Sequence, residues 1–263
     1  MNRKFVGEGK VKLVSGGGRC YTDIAAKFTS SGRDIDSIIA SEYDRELIEK
    51  ILSMGHLATT EFDYFLFAVE GYSRVTEIQM VRKRMASYMI SSGRRDKKGK
   101  RKFDIVVPHT LDDLSMIYDL PPYIDKNGKI YENKFLLTPD KLYNMIESLY
   151  NHGVEEKIPE EDLRYMKPQG TEFKALIGMN GHSLLQFFNA RCCMNAQTEI
   201  RDMANKMLKI TKEVSPDLFK NAGPYCKTLG YCPENKYQNK KCTGKVITKD
   251  EVDNLIKEYI KSR

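Results

Sequence analysis

Across residues 183–214 the apolar side chains Leu184, Phe187, Phe188, Ala196, Ile200, Met203, Met207 and Ile210 recur at helical spacing. That period predicts one long helix with a continuous buried face, and a stripe so rich needs a partner surface. Upstream, Phe62, Tyr64, Phe65, Leu66, Phe67, Ala68 and Val69 form an aromatic and aliphatic run too short for a long helix. A buried strand ended by Gly71 is expected there. Residues 9–15 alternate as a strand does, and Gly16, Gly17 and Gly18 then supply a turn. No Gly-Lys-Ser/Thr follows that triplet, so it is not a phosphate-binding P-loop.

Residues 34–54 carry apolar positions in two helical groups, predicting one or two helices. Thr76 and Gln79 have the spacing of a capping box, and no Gly or Pro interrupts the run to Ser91, which predicts a helix carrying Gln79, Arg82, Lys83 and Arg84. Residues 103–134, with three prolines and the Asn127-Gly128 turn signal, suggest short strands and loops with a helical turn over 112–118. Thr138-Pro139-Asp140 opens a helix that Gly153 is placed to stop, and residues 160–166 form a second, short one. Val252, Leu255, Ile256 and Ile260 mark a final amphipathic segment. At 263 residues one compact, elaborated domain is expected.

The net charge of +7 has a local origin: removing residues 94–102 leaves 36 basic against 35 acidic residues. The patch is expected to be a solvated loop, Arg94 excepted. No stretch approaches the roughly 20 apolar residues of a membrane span, and the start lacks a secretory signal, so a cytoplasmic protein is expected. The six cysteines then remain thiols, and Cys226, Cys232 and Cys242 offer three candidate ligands without a CxxC pair, so no metal site is expected.

Three polar groups interrupt apolar sequence. Gln79, Arg82, Lys83 and Arg84 are followed by Ser92 and Arg94; guanidinium groups so placed can grip a phosphate, while the amide and hydroxyl groups remain to read a base or ribose. The second group surrounds Arg164. The third, Asn180, His182, Gln186 and Arg191, punctuates the predicted long helix, and polar side chains among core residues must find partners.

Arg82-Lys83-Arg84 with Ser92 resembles the flavin-dependent thymidylate synthase signature, Arg-His-Arg followed by seven residues and then Ser. His56, Glu61, Phe65, Phe67, Glu70-Gly71 and Ser73-Arg74 upstream, and Arg164, Pro168, Asn180, Ser183-Leu184, Phe187-Phe188, Arg191, Ala196-Gln197 and Glu199-Ile200 downstream, fit the same family, covering roughly residues 20–235. The resemblance implies a mixed α/β fold, helices packed on a small sheet, assembling as a homotetramer. It assigns 1–235 to the catalytic domain and 236–263 to an amphipathic extension. It also implies FAD, deoxyuridylate, methylenetetrahydrofolate as one-carbon donor and NADPH as reductant. Carried over by position, Gln79, Arg82, Ser92, Arg94, Arg164 and Arg191 bind the nucleotide, with Arg191 also catalytic. His56, Arg82, Lys83, Arg84, Asn180, His182 and Gln186 contact the flavin. Cys192 and Cys193 are packed hydrophobes rather than nucleophiles, and nucleic acid and membranes are not expected partners.

The chain departs from the family pattern mainly at the site. Lys83 replaces the central His of the signature, Phe62 a His, His182 an Arg, Arg95 a Tyr and Lys167 a Leu, while Met89 and Ile90 occupy a polar stretch. Besides thymidylate synthesis, these departures leave two alternatives: a related enzyme modifying C5 of a pyrimidine nucleotide by hydroxymethylation or on deoxycytidylate, and a catalytically silent paralogue that binds nucleotide or nucleic acid.

Overall fold

The computed structural model describes residues 1–91, 102–242 and 246–262. In chain order the strands are β1 (Asn2–Phe5), β2 (Lys10–Ser15), β3 (Tyr64–Ser73), β4 (Ser87–Ile90), β5 (Asp104–Val107), β6 (Met116–Ile124), β7 (Ile130–Leu137) and β8 (Glu172–Asn180). The helices are α1 (Thr22–Ser30), α2 (Ile35–Ile39), α3 (Arg45–Ser53), α4 (Arg74–Met80), α5 (Pro139–Glu155), α6 (Glu160–Leu163), α7 (Gly181–Arg191), α8 (Thr198–Val214), α9 (Pro216–Phe219), α10 (Tyr225–Leu229) and α11 (Lys249–Lys261). The fold is mixed α/β, as expected. The chain divides into two compact units, one of residues 1–8, 71–75 and 91–173, the other of residues 9–70, 76–90 and 174–263.

The larger unit is built on a sheet of order β2-β3-β8-β4. β2 runs antiparallel to β3, and β4 antiparallel to β8 with Tyr88 opposite Ile177. Strand alternation sends Phe65, Phe67, Val69, Ala175 and Ile177 to one buried face. Leu184, Phe187 and Phe188 of α7 and Ile200, Met203 and Met207 of α8 are buried with them. Phe65 and Phe188 each meet Phe219 edge-on at 5.3 and 5.9 Å. Phe67 is fully buried, so its loss to Ala costs about 3–5 kcal/mol. The Gly16 and Gly17 turn is clamped: both have positive φ, and a Cβ would lie 2.5 Å from the Tyr64 carbonyl at Gly16 and 2.7 Å from Val214 at Gly17.

The smaller unit pairs β1 parallel to β5 and holds the separate antiparallel hairpin β6-β7. Its core joins Phe103, Ile105 and Val107 to Tyr150 and Leu163. Lys167, which replaces an apolar residue of the family pattern, sets its ammonium 5.3 Å from the Tyr150 ring centre, a favourable charge–quadrupole contact.

Several expectations are corrected. The helix predicted for 183–214 is two helices, α7 and α8, separated by residues 192–197. The side chain of Gln197 accepts hydrogen bonds from the backbone N–H groups of Glu199 and Ile200 at 3.1 Å, starting α8 afresh. The helix predicted to run from Thr76 to Ser91 begins at Arg74 and stops at Met80, and its last residues form β4, because Ser87–Ile90 pair with β8. Thr76 is therefore no cap but a buried residue within α4. The helical turn predicted over 112–118 lies instead at His109–Leu111, and residues 116–118 belong to β6. β3 continues past Gly71 to Ser73, and α5 continues past Gly153, where the missing Cβ makes room for Leu163. The strands expected over 9–15 and 61–70 form, the second starting only at Tyr64 after a 3₁₀ turn over Leu57–Phe62, and the cap at Thr138 is as expected; the final amphipathic segment is a helix that Thr248 and Glu251 open with a capping box. No helix among the described residues is long and apolar enough to cross a membrane.

Candidate active site

α7 is the element that organises the site. Asn180 caps it, its side-chain oxygen accepting from the Ser183 N–H at 2.8 Å. The N–H of Gly181 donates to the Asp63 carbonyl at 2.7 Å, and a Cβ there would lie 2.7 Å from the Thr60 carbonyl, so helix and turn 57–62 touch backbone to backbone. Asp63 is fixed in turn by Tyr21 N–H and Thr22 Oγ1, each at 2.7 Å, and burial raises its carboxyl above the ordinary range.

With Leu184, Phe187 and Phe188 facing the core, His182 and Gln186, four residues apart, share the outer face. Glu61 accepts a hydrogen bond from His182 Nδ1 at 3.0 Å, because a carboxylate can only accept. His182 Nε2 then accepts from the Gln186 amide nitrogen at 2.9 Å, and the Gln186 carbonyl accepts from Lys83 Nζ. All donors in this line, Lys83 to Gln186 to His182 to Glu61, point the same way. Partial burial holds the Lys83 ammonium below the usual lysine range.

Arg191, at the other end of α7, donates from Nη2 to the Gln79 carbonyl at 3.2 Å. Tyr88 stands nearby, its hydroxyl 2.8 Å from the Met80 carbonyl and 2.9 Å from that of Lys83. Burial raises the Tyr88 hydroxyl above the ordinary range, and the positive charge of Arg191 works against that rise. Tyr88 thus ties down the end of α4 and the turn that carries Arg82, Lys83 and Arg84.

Gln79, Lys83, His182, Gln186 and Arg191 are therefore joined in one neighbourhood of the larger unit. Arg82 and Arg84 lie exposed in the turn after α4, not on a helix face as predicted, and His56 is exposed just before turn 57–62. Arg164 lies exposed in the smaller unit, opening the 3₁₀ turn Arg164–Met166. Ser92, Arg94 and Arg95 lie outside the described residues. Glu61 and Tyr88 were not among the expected site residues; a carboxylate at the family's spacing was the only signal for the first, and none pointed to the second. Phe62, beside Glu61, presents its ring to solvent at 69% exposure, which gives an apolar face where the family carries an imidazole.

The family described as "Thymidylate synthase complementing protein" matches residues 14–217. The flavin-dependent thymidylate synthase of Nitratidesulfovibrio vulgaris is 35% identical over 206 residues, 76% of this chain and 78% of that protein. That of Sulfolobus acidocaldarius is 33% identical over 252 residues, 94% and 86% of the two chains. Among solved structures, the UMP/dUMP methylase PolB of Streptomyces cacaoi, bound with 5-Br dUMP, superposes with a TM-score of 0.65 at 19% identity over 84% of this chain and 96% of that one, which shows a shared fold. By its matched length, its identity to these relatives and its fold, the chain belongs to the flavin-dependent thymidylate synthase family, a family of methyltransferases.

Proposed function

We propose that the protein methylates deoxyuridylate at C5, with FAD as its flavin, methylenetetrahydrofolate as one-carbon donor and NADPH as reductant, as a homotetramer in the cytoplasm. The observation that carries this reading is the hydrogen-bonded neighbourhood in which Lys83, Gln186, His182, Arg191 and Gln79 meet from two distant stretches of sequence.

The donor set fits a flavin dinucleotide. Lys83, Arg82 and Arg84 supply cations suited to a diphosphate, and Gln186, His182 and Asn180 supply amide and imidazole groups suited to a heterocycle, with His56 at the rim. Asn180 uses its oxygen to cap α7, which leaves its amide N–H groups for a ligand. When bound, FAD supplies the hydride chemistry. The protein's own part is to orient and to stabilise charge. Arg191, anchored by the Gln79 carbonyl, presents a guanidinium to negative charge developing on the uracil ring. Gln79 and Arg82 bind the nucleotide beside it, as do Ser92, Arg94 and Arg164 by the resemblance.

Anaerobic turnover with deoxyuridylate, FAD, methylenetetrahydrofolate and NADPH, with the nucleotide product identified by mass, tests the reading. Thymidylate is expected, and Arg191→Ala should lower its rate by about 10²–10³-fold while leaving the melting temperature nearly unchanged. Flavin reduction accompanied by a hydroxymethylated product, or turnover on deoxycytidylate alone, would replace this reading with the C5-modifying alternative.

A further inference from the structure

Five of the six cysteines line a single cavity of about 290 Å³ at the end of α7, where composition alone would place fewer than one. They come from separate stretches: Cys192 and Cys193 from the break between α7 and α8, Cys226 from α10, Cys232 from the loop after it and Cys242 from farther on. The Cys226 thiol lies within electrostatic reach of Cys193, Cys232 and Cys242. Cys192 is engaged as the C-terminal cap of α7, its backbone N–H bonded to the Phe188 carbonyl.

The chain around these thiols is held chiefly by polar contacts, among them the backbone of Cys232, bonded to Ile247 and Lys249 at 2.8 and 3.0 Å. Across residues 224–242 only Cys232 is buried. The segment is tied to the interhelical break by side-chain amides, Asn239 to the Met194 carbonyl at 3.0 Å and Asn195 to the Tyr237 carbonyl at 3.1 Å. A loop with so small a core is the setting in which a cross-link or metal stabilises most. Lys227 adjoins Cys226, and Lys240 and Lys241 precede Cys242, so the sequence supplies cations beside the thiols.

We infer that Cys193, Cys226, Cys232 and Cys242 bind one thiophilic divalent cation of the zinc type and so pin the segment 224–242 to the end of α7. Cys193, remote in sequence from the other three, is the fourth ligand that their spacing lacks. Binding takes the four thiols to thiolates and releases one proton from each to solvent; the dianionic centre is offset by the adjacent lysines. Among the described residues no three His, Cys, Asp or Glu side chains are arranged as a ready-made metal site, so the site closes by rotation of the thiols into the cavity.

The test is a cobalt(II) titration of the full-length, reduced, chelator-treated protein. One cobalt per chain is expected, with thiolate charge-transfer bands and the intense ligand-field bands of a tetrahedral centre, displaced by zinc. Cys226→Ser and Cys242→Ser should each weaken binding by roughly a hundredfold or more, and Cys192→Ser should leave it unchanged. Weak octahedral bands, or equal losses in all three variants, would overturn the assignment. Alkylation of the unmutated protein, read by mass, avoids reliance on variants that fold poorly: zinc should protect these four thiols. Equal labelling with and without zinc, or a disulfide among them after purification under reducing conditions, would overturn it too.

Discussion

Lys83 and His182 both depart from the family pattern, and Gln186 joins them. A flexible ammonium cannot do what an imidazole does, yet here Lys83 donates to the amide whose other end donates to His182. Paired changes in one hydrogen-bonded line should not act independently. Flavin dissociation constants of Lys83→Ala, His182→Ala and the double variant, followed by flavin fluorescence, should show a coupling of about 0.5–3 kcal/mol. Additivity would mean that the line does not serve the flavin. A second prediction concerns Lys212, whose pKa burial and the neighbouring Lys227 lower to about 8 from 10.5. A depressed lysine leaves the unfolded chain binding more protons between those values, so stability should rise with pH from about 8 to 10.5. Denaturation midpoints of the metal-free protein across that range should show the rise, and Lys212→Met should flatten it. At this scale much of the candidate site's hydrogen bonding was legible: Arg191, His182 and Gln186 stood out because polar residues in an apolar stripe need partners, and each has one. Tyr88 was not, because its role depends on which carbonyls a fold brings to its hydroxyl.

The secondary-structure elements depart from the sequence reading where tertiary contacts outweigh local signals. Nothing in residues 192–197 breaks a helix, for the segment contains neither Gly nor Pro. The break is held by Gln197 capping α8 and by Arg201, which donates to the carbonyls of Met194 and Ala196 at 2.9 and 3.1 Å. Likewise α4 ends because Tyr88 takes up its last carbonyl, that of Met80, along with the Lys83 carbonyl of the following turn, and β8 claims Ser87–Ile90 as a strand. Elements with their signals in local sequence, such as the Thr138 cap, the alternation of β2 and the apolar run of β3, were recoverable. The close approach of α7 to turn 57–62 yields a prediction of its own. Gly181→Ala should destabilise the protein by about 1–3 kcal/mol, since the added methyl meets backbone rather than a movable side chain. Thermal melting compared with a Gly18→Ala control, whose Cβ meets nothing within 4 Å though its φ is positive, separates crowding from backbone strain.

For the whole molecule, the mixed α/β class followed from the family resemblance and is what the structure shows, while the division into two interleaved units was hidden, because contacts between distant segments leave no local trace. β6 is exposed along its length, with Ile117, Leu120 and Ile124 among its apolar residues, and the outer sheet face presents Met89 and Leu176. Apolar surface on this scale marks association, so light scattering should return a multiple of the 30.3 kDa of one chain, fourfold under the homotetramer proposed above. A stable monomer would leave those faces unexplained. The sheet order has a last consequence, for synthesis on the ribosome. β3 can pair with β2 as soon as both have emerged, but its other neighbour, β8, begins about a hundred residues later. Until Glu172–Asn180 leaves the exit tunnel, a nascent chain carries a hydrophobic strand with one open edge, so translational stalling before that point should make this protein a client of chaperones.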